Sequence, residues 1–376
     1  MPIPGAPDPA RIEDLLTSAY GTAVRIDRID HITPWFVLRA RLSGDGVPAS
    51  VIVKWLRNTP GDTRTDSGQL YTEQAALEFL AEIDAELAPR LVAADIPASD
   101  PGRGFLVIED LEPGEPLRAV LLRVGADATR PRLTSYARAL ARLHGSTIGH
   151  AESYAGHRHA LGLGESPRSG LLTRWPSGVR CIRDIGVPMS HVTAGELAGV
   201  IAEFSYPGAF LAFSNGDAQH NNYLVDPAGN GRMIDFEGAL FQHAMIDLCH
   251  LYVPGSMWLT VQDPTSNGLE EAYRKELAPT VPEVTDDVRF GRAIAGAAFL
   301  GILERVSALD RLDARAAGDR SRLHRIATLE AAAETAATHH CLPHLAGWAR
   351  AAAERLRRRW PDADVDLAAL GPYASR

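Results

Sequence analysis

The rhythm of apolar and polar positions changes near residue 111. Before it, VRIDRIDHI, WFVLRARL and SVIVKWL alternate or run apolar, with many valines and isoleucines. That is the pattern of strands with one buried face. The turn SGDG, 43 to 46, joins the second and third and predicts antiparallel pairing. LAPRLVAADI and GFLVIEDL supply two further strands. Pro9 to Tyr20 spaces its apolar residues as a short helix. YTEQAALEFLAEIDAEL puts Ala76, Phe79, Leu80 and Ile83 on one helical face. RNTPGDTRTDSGQ, 57 to 69, is polar with Gly and Pro and reads as a loop.

After Leu111 the helical period takes over, in TSYARALARLHGSTIG, AGELAGVIAEF, RFGRAIAGAAFLGILERVSAL and much of 321 to 358. The stretch 149 to 190 is rich in Gly and Pro with scattered Trp, Arg and His. It reads either as an insertion covering a substrate or as a surface excursion. The basic residues of AAAERLRRRW suit the negative end of a helix dipole. The expected division is residues 1–110, strand-rich with one long helix, and residues 111–376, mostly helical.

Composition narrows the class. The 376 residues are 45% hydrophobic and 23% charged, with net charge −9, an ordinary soluble balance. Nucleic-acid binding wants a basic stripe, and the net charge of −9 argues against it. The three cysteines, Cys181, Cys249 and Cys341, lack metal-ligand spacing and fit a reducing compartment. MPIPGAPDPARIEDLL has no apolar signal-peptide core, and no run approaches the roughly 18 apolar residues of a spanning helix. A cytoplasmic protein without a membrane partner is expected.

Candidate chemistry lies at the ends of apolar strands. Lys54 closes VIVK, where an ammonium must find an anion or reach water. Glu73 stands near the start of the following helix, placed for an ion pair with Lys54 or for the helix dipole. SNGDAQHNNYLVD, 214 to 226, holds Asp217 and, five residues on, Asn222, with more small polar residues than a turn needs. Asp235 follows the apolar Met233-Ile234 in MIDFEG. Singly each has an ordinary explanation. Together, a strand lysine, a helix glutamate, Asp-x-x-x-x-Asn and Asp-Phe-x-Gly are the ordered parts of phosphoryl transfer from a nucleotide.

On these motifs the chain resembles the aminoglycoside phosphotransferase and choline kinase group, small-molecule kinases with a protein-kinase-like fold. NGDAQHNN resembles the family's His-Gly-Asp-x-x-x-x-Asn, IDFEGAL its metal motif and EQAALEFL its helix-glutamate phrase. ARLHG resembles its Leu-His helix end, and Asp247 in IDLCH its Asp-Leu-Ala helix start. The resemblance spans about Val51 to Leu251. It implies an α+β, bilobal fold: an N-terminal antiparallel-sheet lobe with one long helix, and a larger, mostly helical C-terminal lobe. Two positions depart from the pattern. Asn215 stands where the family has His, and HITPWF between the first two strands has no glycine, leaving Thr33 as the candidate phosphate contact.

The resemblance implies a role for each residue. Lys54, held by Glu73, meets phosphates of ATP or GTP. Asp235 and Asn222 hold Mg²⁺ through oxygen, with Glu237 in support; Asn221 competes with Asn222, and spacing selects the latter. Asp217 orients the acceptor hydroxyl and takes its proton, in preference to His220. Backbone groups near Glu109 and Leu111 bond the adenine edge. The expected reaction is γ-phosphoryl transfer from a nucleoside triphosphate to a hydroxyl of an aminoglycoside, other antibiotic, sugar or amino alcohol. The alternative is a pseudokinase that binds without turnover. A protein kinase is not expected, because no Ala-Pro-Glu phrase follows IDFEG. For a cationic acceptor the candidate carboxylates are Glu270, Glu271 and Glu304, the first two also reading as a solvated helix face. Trp175 and Trp258 read as sugar-stacking or core residues.

Overall fold

A computed structural model describes residues 5–32, 37–56, 66–84, 86–97, 99–166 and 169–376. In chain order the first elements are α1 (Pro9–Tyr20), β1 (Arg25–Ile32), β2 (Val37–Ser43), β3 (Ser50–Trp55), α2 (Ser67–Ile83), β4 (Leu91–Asp95) and β5 (Phe105–Glu109). Then come β6 (Glu115–Pro116), α3 (Leu117–Thr147), α4 (Ala151–Ala160), α5 (Gly170–Asp184), α6 (His191–Ser205), β7 (Leu211–Ser214), β8 (Tyr223–Val225), β9 (Gly231–Met233) and β10 (Leu240–His243). The remainder is helical: α7 (Met245–Leu248), α8 (Leu269–Leu277), α9 (Asp287–Arg305), α10 (Asp310–Asp313), α11 (Arg320–Thr338) and α12 (Pro343–Arg359). Among the described residues no helix is long and apolar enough to cross a membrane.

The chain divides into two compact units. The first takes residues 1–114 together with 150–166 and 232–239; the second takes 115–149, 167–231 and 240–376. The expected division put one boundary at residue 110, whereas here two later segments return to the first unit.

In the first unit β1-β2-β3-β5-β4 form one antiparallel sheet. Alternation decides which side chains face which way. Leu38, Ala40 and Leu42 of β2 and Val51, Val53 and Trp55 of β3 pack with Ile12 and Leu16 of α1. Lys54, one residue out of step with Val53 and Trp55, belongs to the opposite face. Asp66 caps α2 by accepting from the Gly68 N–H, so the helix starts at Ser67 inside the stretch read as loop; 57–65 lie outside the described residues. Glu73 is therefore almost two turns into α2, whose first turn has no acid, and the dipole reading of Glu73 falls away.

The stretch 149 to 190, expected as an insertion covering a substrate or as a surface excursion, is largely helical and is not one piece. It carries α4 in the first unit and α5 in the second. α4 packs on α2: Tyr154 lies 5.5 Å from Phe79 by ring centroids, and its hydroxyl donates to the Ala239 carbonyl at 3.1 Å. α4 thus braces both the helix that bears Glu73 and the end of the segment that bears Asp235.

The core of the second unit is α9, buried nearly all round from Phe290 to Leu303, as a helix apolar on every side must be. α3 begins well before the predicted Thr134 and is broken at Gly125, whose φ is 79°. β7 and β10 pair antiparallel and frame the loop that follows Ser214.

Candidate active site

In the first unit the site is built around a buried lysine. Lys54 is 5% exposed. Its Nζ lies 2.6 Å from Glu73 Oε1 and 2.7 Å from Asp235 Oδ1. Glu73 is 1% exposed, and Oε1 also accepts the Phe236 N–H at 3.3 Å. A buried carboxylate must be paired to be tolerated, and here it is paired with both the strand and the turn after Asp235. Asp235 has φ 66°, a left-handed conformation uncommon outside glycine and a mark of strain at functional sites. Ligand oxygens of Glu73, Asp235 and Glu237 all lie within 4.8 Å of one another. An all-carboxylate oxygen set fits a hard divalent cation such as Mg²⁺.

Arg232, on β9, is tied to the same unit. It donates to Glu109 at 2.9 Å and pairs with Glu86 at 3.4 Å. The Glu109 N–H donates to the Arg90 carbonyl, and the Leu111 carbonyl accepts from Gly114 N–H, so both groups have partners within the chain. Thr33 lies outside the described residues.

In the second unit the loop after β7 is fixed by its own polar residues. Asn215 Oδ1 accepts the Asp217 N–H at 3.1 Å. Ser214 Oγ accepts the Gly216 N–H at 2.9 Å, and Gly216 takes φ 82°, which glycine adopts without a steric penalty. Asp217 is exposed, yet both carboxylate oxygens are held. Gln219 Nε2 donates to Oδ1 at 2.6 Å, and Asn222 Nδ2 donates to Oδ2 at 3.1 Å and to the Asp217 carbonyl at 2.9 Å. Asn222 Oδ1 accepts from Asn221 at 2.7 Å, so a cation ligated there would displace that amide.

His220 is 2% exposed, set among Tyr136, Trp258 and Tyr373. Burial pushes its imidazole down to about 4, so it is neutral at pH 7 and enclosed by rings. Asp217 is the group in this loop that faces solvent as a carboxylate. Trp258 is 1% exposed and is a core residue; Trp175 is half-buried.

Behind the loop lies a network whose members the sequence showed only separately. Asp247 is 2% exposed. It accepts from Ser214 Oγ at 2.7 Å, Gln242 Nε2 at 3.0 Å and His144 Nε2 at 3.1 Å. His144 Nδ1 meets the Tyr273 hydroxyl at 2.8 Å. The motifs ARLHG and IDLCH are therefore two halves of one device that anchors the strand end entering the Asp217 loop. Ser214 and Gln242 were missed; the one available signal was an acid, Asp247, inside an apolar run.

Glu270 is not part of a solvated face. It is 6% exposed and accepts from Tyr252 at 2.7 Å and Arg274 at 3.1 Å. Burial, with Glu270 beside it, raises the Tyr252 hydroxyl well above its ordinary value. Glu304 pairs with Arg174 at 2.5 Å.

The fold is kinase-like. The chain aligns with a structure described as a "putative aminoglycoside phosphotransferase" from Ralstonia eutropha JMP134 at TM-score 0.52 and 14% identity, over 93% of this chain and 98% of that one. Spectinomycin phosphotransferase APH(9)-Ia, in complex with ADP and spectinomycin, aligns at 0.49 and 12% identity over 90% and 99%. Choline kinase LicA from Streptococcus pneumoniae aligns at 0.46 and 13% over 86% and 98%. No family model matches the chain, and no curated protein matches its sequence. The class so defined is a two-unit, kinase-like α+β fold.

Proposed function

We propose that the protein is a Mg²⁺-dependent kinase that transfers the γ-phosphoryl group of ATP or GTP to the hydroxyl of a small molecule, in the class of antibiotics, sugars or amino alcohols. The observation that carries this reading is the Lys54–Glu73–Asp235 cluster. A buried ammonium held between two carboxylates, one of them in strained backbone, is an expensive arrangement, and a kinase-like fold has a use for it.

In this reading Glu73 keeps Lys54 aimed, and phosphate oxygens replace Asp235 as the second anion on Nζ. Asp235, with Glu237 in support, would hold the cation through oxygen. Mg²⁺, when bound, neutralises charge on the transferred group. Asp217 accepts the acceptor's hydroxyl proton. The acceptor oxygen bonds to the γ-phosphorus, the bond to the β,γ-bridging oxygen breaks, and a nucleoside diphosphate leaves. Little covalent help is needed; alignment and charge neutralisation supply most of the rate.

The test is MgATP and MgGTP binding by calorimetry, followed by turnover against aminoglycosides, nucleoside antibiotics, sugars and amino alcohols. Asp217→Ala is expected to abolish transfer and leave nucleotide affinity within about twofold, since only the proton acceptor is lost. Asp235→Ala is expected to weaken Mg-nucleotide binding. Transfer by Asp217→Ala at the wild-type rate would overturn the assignment. Tight nucleotide binding without turnover on any acceptor would favour the pseudokinase.

A further inference from the structure

We infer that Gln219 is a positioning residue that fixes the Asp217 carboxylate, and that the segment Pro254–Met257 is the platform that fixes Gln219. This rests on the reading of Asp217 as proton acceptor.

Gln219 spans two partners. Its Oε1 accepts both the Ser256 N–H at 2.9 Å and the Ser256 hydroxyl at 3.0 Å. Two donors on that side require the amide oxygen there, so the amide nitrogen must face Asp217, where it donates to Oδ1 at 2.6 Å. The orientation of the amide is thus dictated by Ser256. The neighbour of Ser256 must be small: a Cβ on Gly255 would come 2.5 Å from Gln219 Oε1.

Four successive carbonyls hold the platform. Pro254 O accepts from Arg305 Nη1 at 2.7 Å, Gly255 O from His324 Nε2 at 2.8 Å, Ser256 O from Arg376 Nη1 at 3.2 Å, and Met257 O from the Arg376 N–H at 3.0 Å. Arg325 donates to His324 Nδ1 at 2.8 Å, which leaves the His324 proton on Nε2, the nitrogen facing Gly255. Such redundancy is more than a surface turn needs. It makes Ser256 a fixed point from which a neutral amide can orient a carboxylate without neutralising it. Asn222 alone would hold one oxygen of Asp217 and leave the other without this donor, and small misplacements of a reacting group cost on the order of 10²-fold in rate.

A role in tying the loop to the platform and a role in orienting Asp217 separate in Gln219→Glu. The new side chain has the same shape and still accepts from Ser256, but it opposes Asp217 with a second carboxylate. The assay is release of ADP from MgATP with water as acceptor, with KM for MgATP and the thermal midpoint measured alongside. Gln219→Glu and Gln219→Leu are expected to lose about tenfold or more in kcat, with KM within about twofold and Gln219→Glu still fully folded at the assay temperature. Wild-type kcat in Gln219→Glu, with Asp217→Asn inactive, overturns this inference and leaves the kinase reading standing. A fall in kcat matched by loss of folded protein in both Gln219 variants also overturns it. Wild-type release no faster than that of Asp217→Asn overturns this inference, and the kinase reading falls with it only if no acceptor of the panel above is phosphorylated either.

Discussion

Lys54 and Asp247 are both charged side chains sunk almost completely into protein, and the two units handle them differently. Lys54 is held by opposite charges, Glu73 and Asp235. Asp247 is held by directed donors: a serine hydroxyl, a glutamine amide and an imidazole nitrogen. The difference teaches what each arrangement is good for. An ion pair depends mainly on charge and distance, so in the proposed function a phosphate oxygen would replace one carboxylate on Lys54. A hydrogen-bond network depends on angle as well, so it suits a part that must not move. Under the proposed function, an exchangeable anion at Lys54 would serve nucleotide capture and a fixed geometry behind Asp217 would serve hydroxyl alignment.

The contrast can be broken most severely at Lys54. Lys54→Met leaves two carboxylates facing each other. It is expected to weaken MgATP binding at least a hundredfold, read by calorimetry, and to destabilise the first unit by about 3 kcal/mol, read by denaturant titration. Asp247→Ala should cost about 2–3 kcal/mol, because Ser214, Gln242 and His144 lose a shared buried acceptor. That loss should fall on kcat rather than on nucleotide affinity; equal losses in both would erase the distinction between the units.

Acid should act selectively on the second unit. Burial, with the neighbouring positive charges, pushes the imidazoles of His243 and His324 down to about 3. His243 is stacked between Phe204 and Phe210, and the second nitrogen of His324 faces Arg325. In the unfolded chain each titrates near 6.5, so the unfolded state takes up protons first as pH falls. Their contribution to stability is present above pH 6.5 and lost progressively as pH drops toward 3. At pH 5.5 the loss is about 1.4 kcal/mol for each, read as a falling thermal midpoint that His324→Gln partly abolishes. The smallest effect is expected at Arg232→Ala. Its pairs with Glu109 and Glu86 are partly exposed, and about 0.5–1 kcal/mol is expected, with nucleotide affinity within about threefold.

Much of this was legible because it is local. The strands around Val51 and Val107, the helix spacing of Phe79 and Leu80, and the Asp217-to-Asn222 spacing are written in periods of two, in helical periods and in turn chemistry. The Lys54–Glu73 pair was readable because a lysine ending an apolar strand needs an anion and the next helix offered one. The start of α2 was misplaced because Asp66 caps it from within a polar run, where a cap and a loop look alike. The stretch 149 to 190 was read as a substrate-covering insertion or a surface excursion because Gly and Pro hid two helices, one of which, α4, braces α2. Glu270 was read as solvated because helix-face acids usually are, and only packing against Tyr252 and Arg274 shows otherwise.

The sequence by itself determined which residue types were present for the chemistry and in what order along the chain. Only the tertiary structure decided which of them meet within each unit: Asp235 with Lys54, His144 with Asp247, Gln219 with Ser256 and Asp217. The physical reason is range. Backbone periodicity and capping act over a few residues, whereas the pairing of buried charges and amides is settled by which distant segments close on one another, and no spacing along the chain encodes that directly.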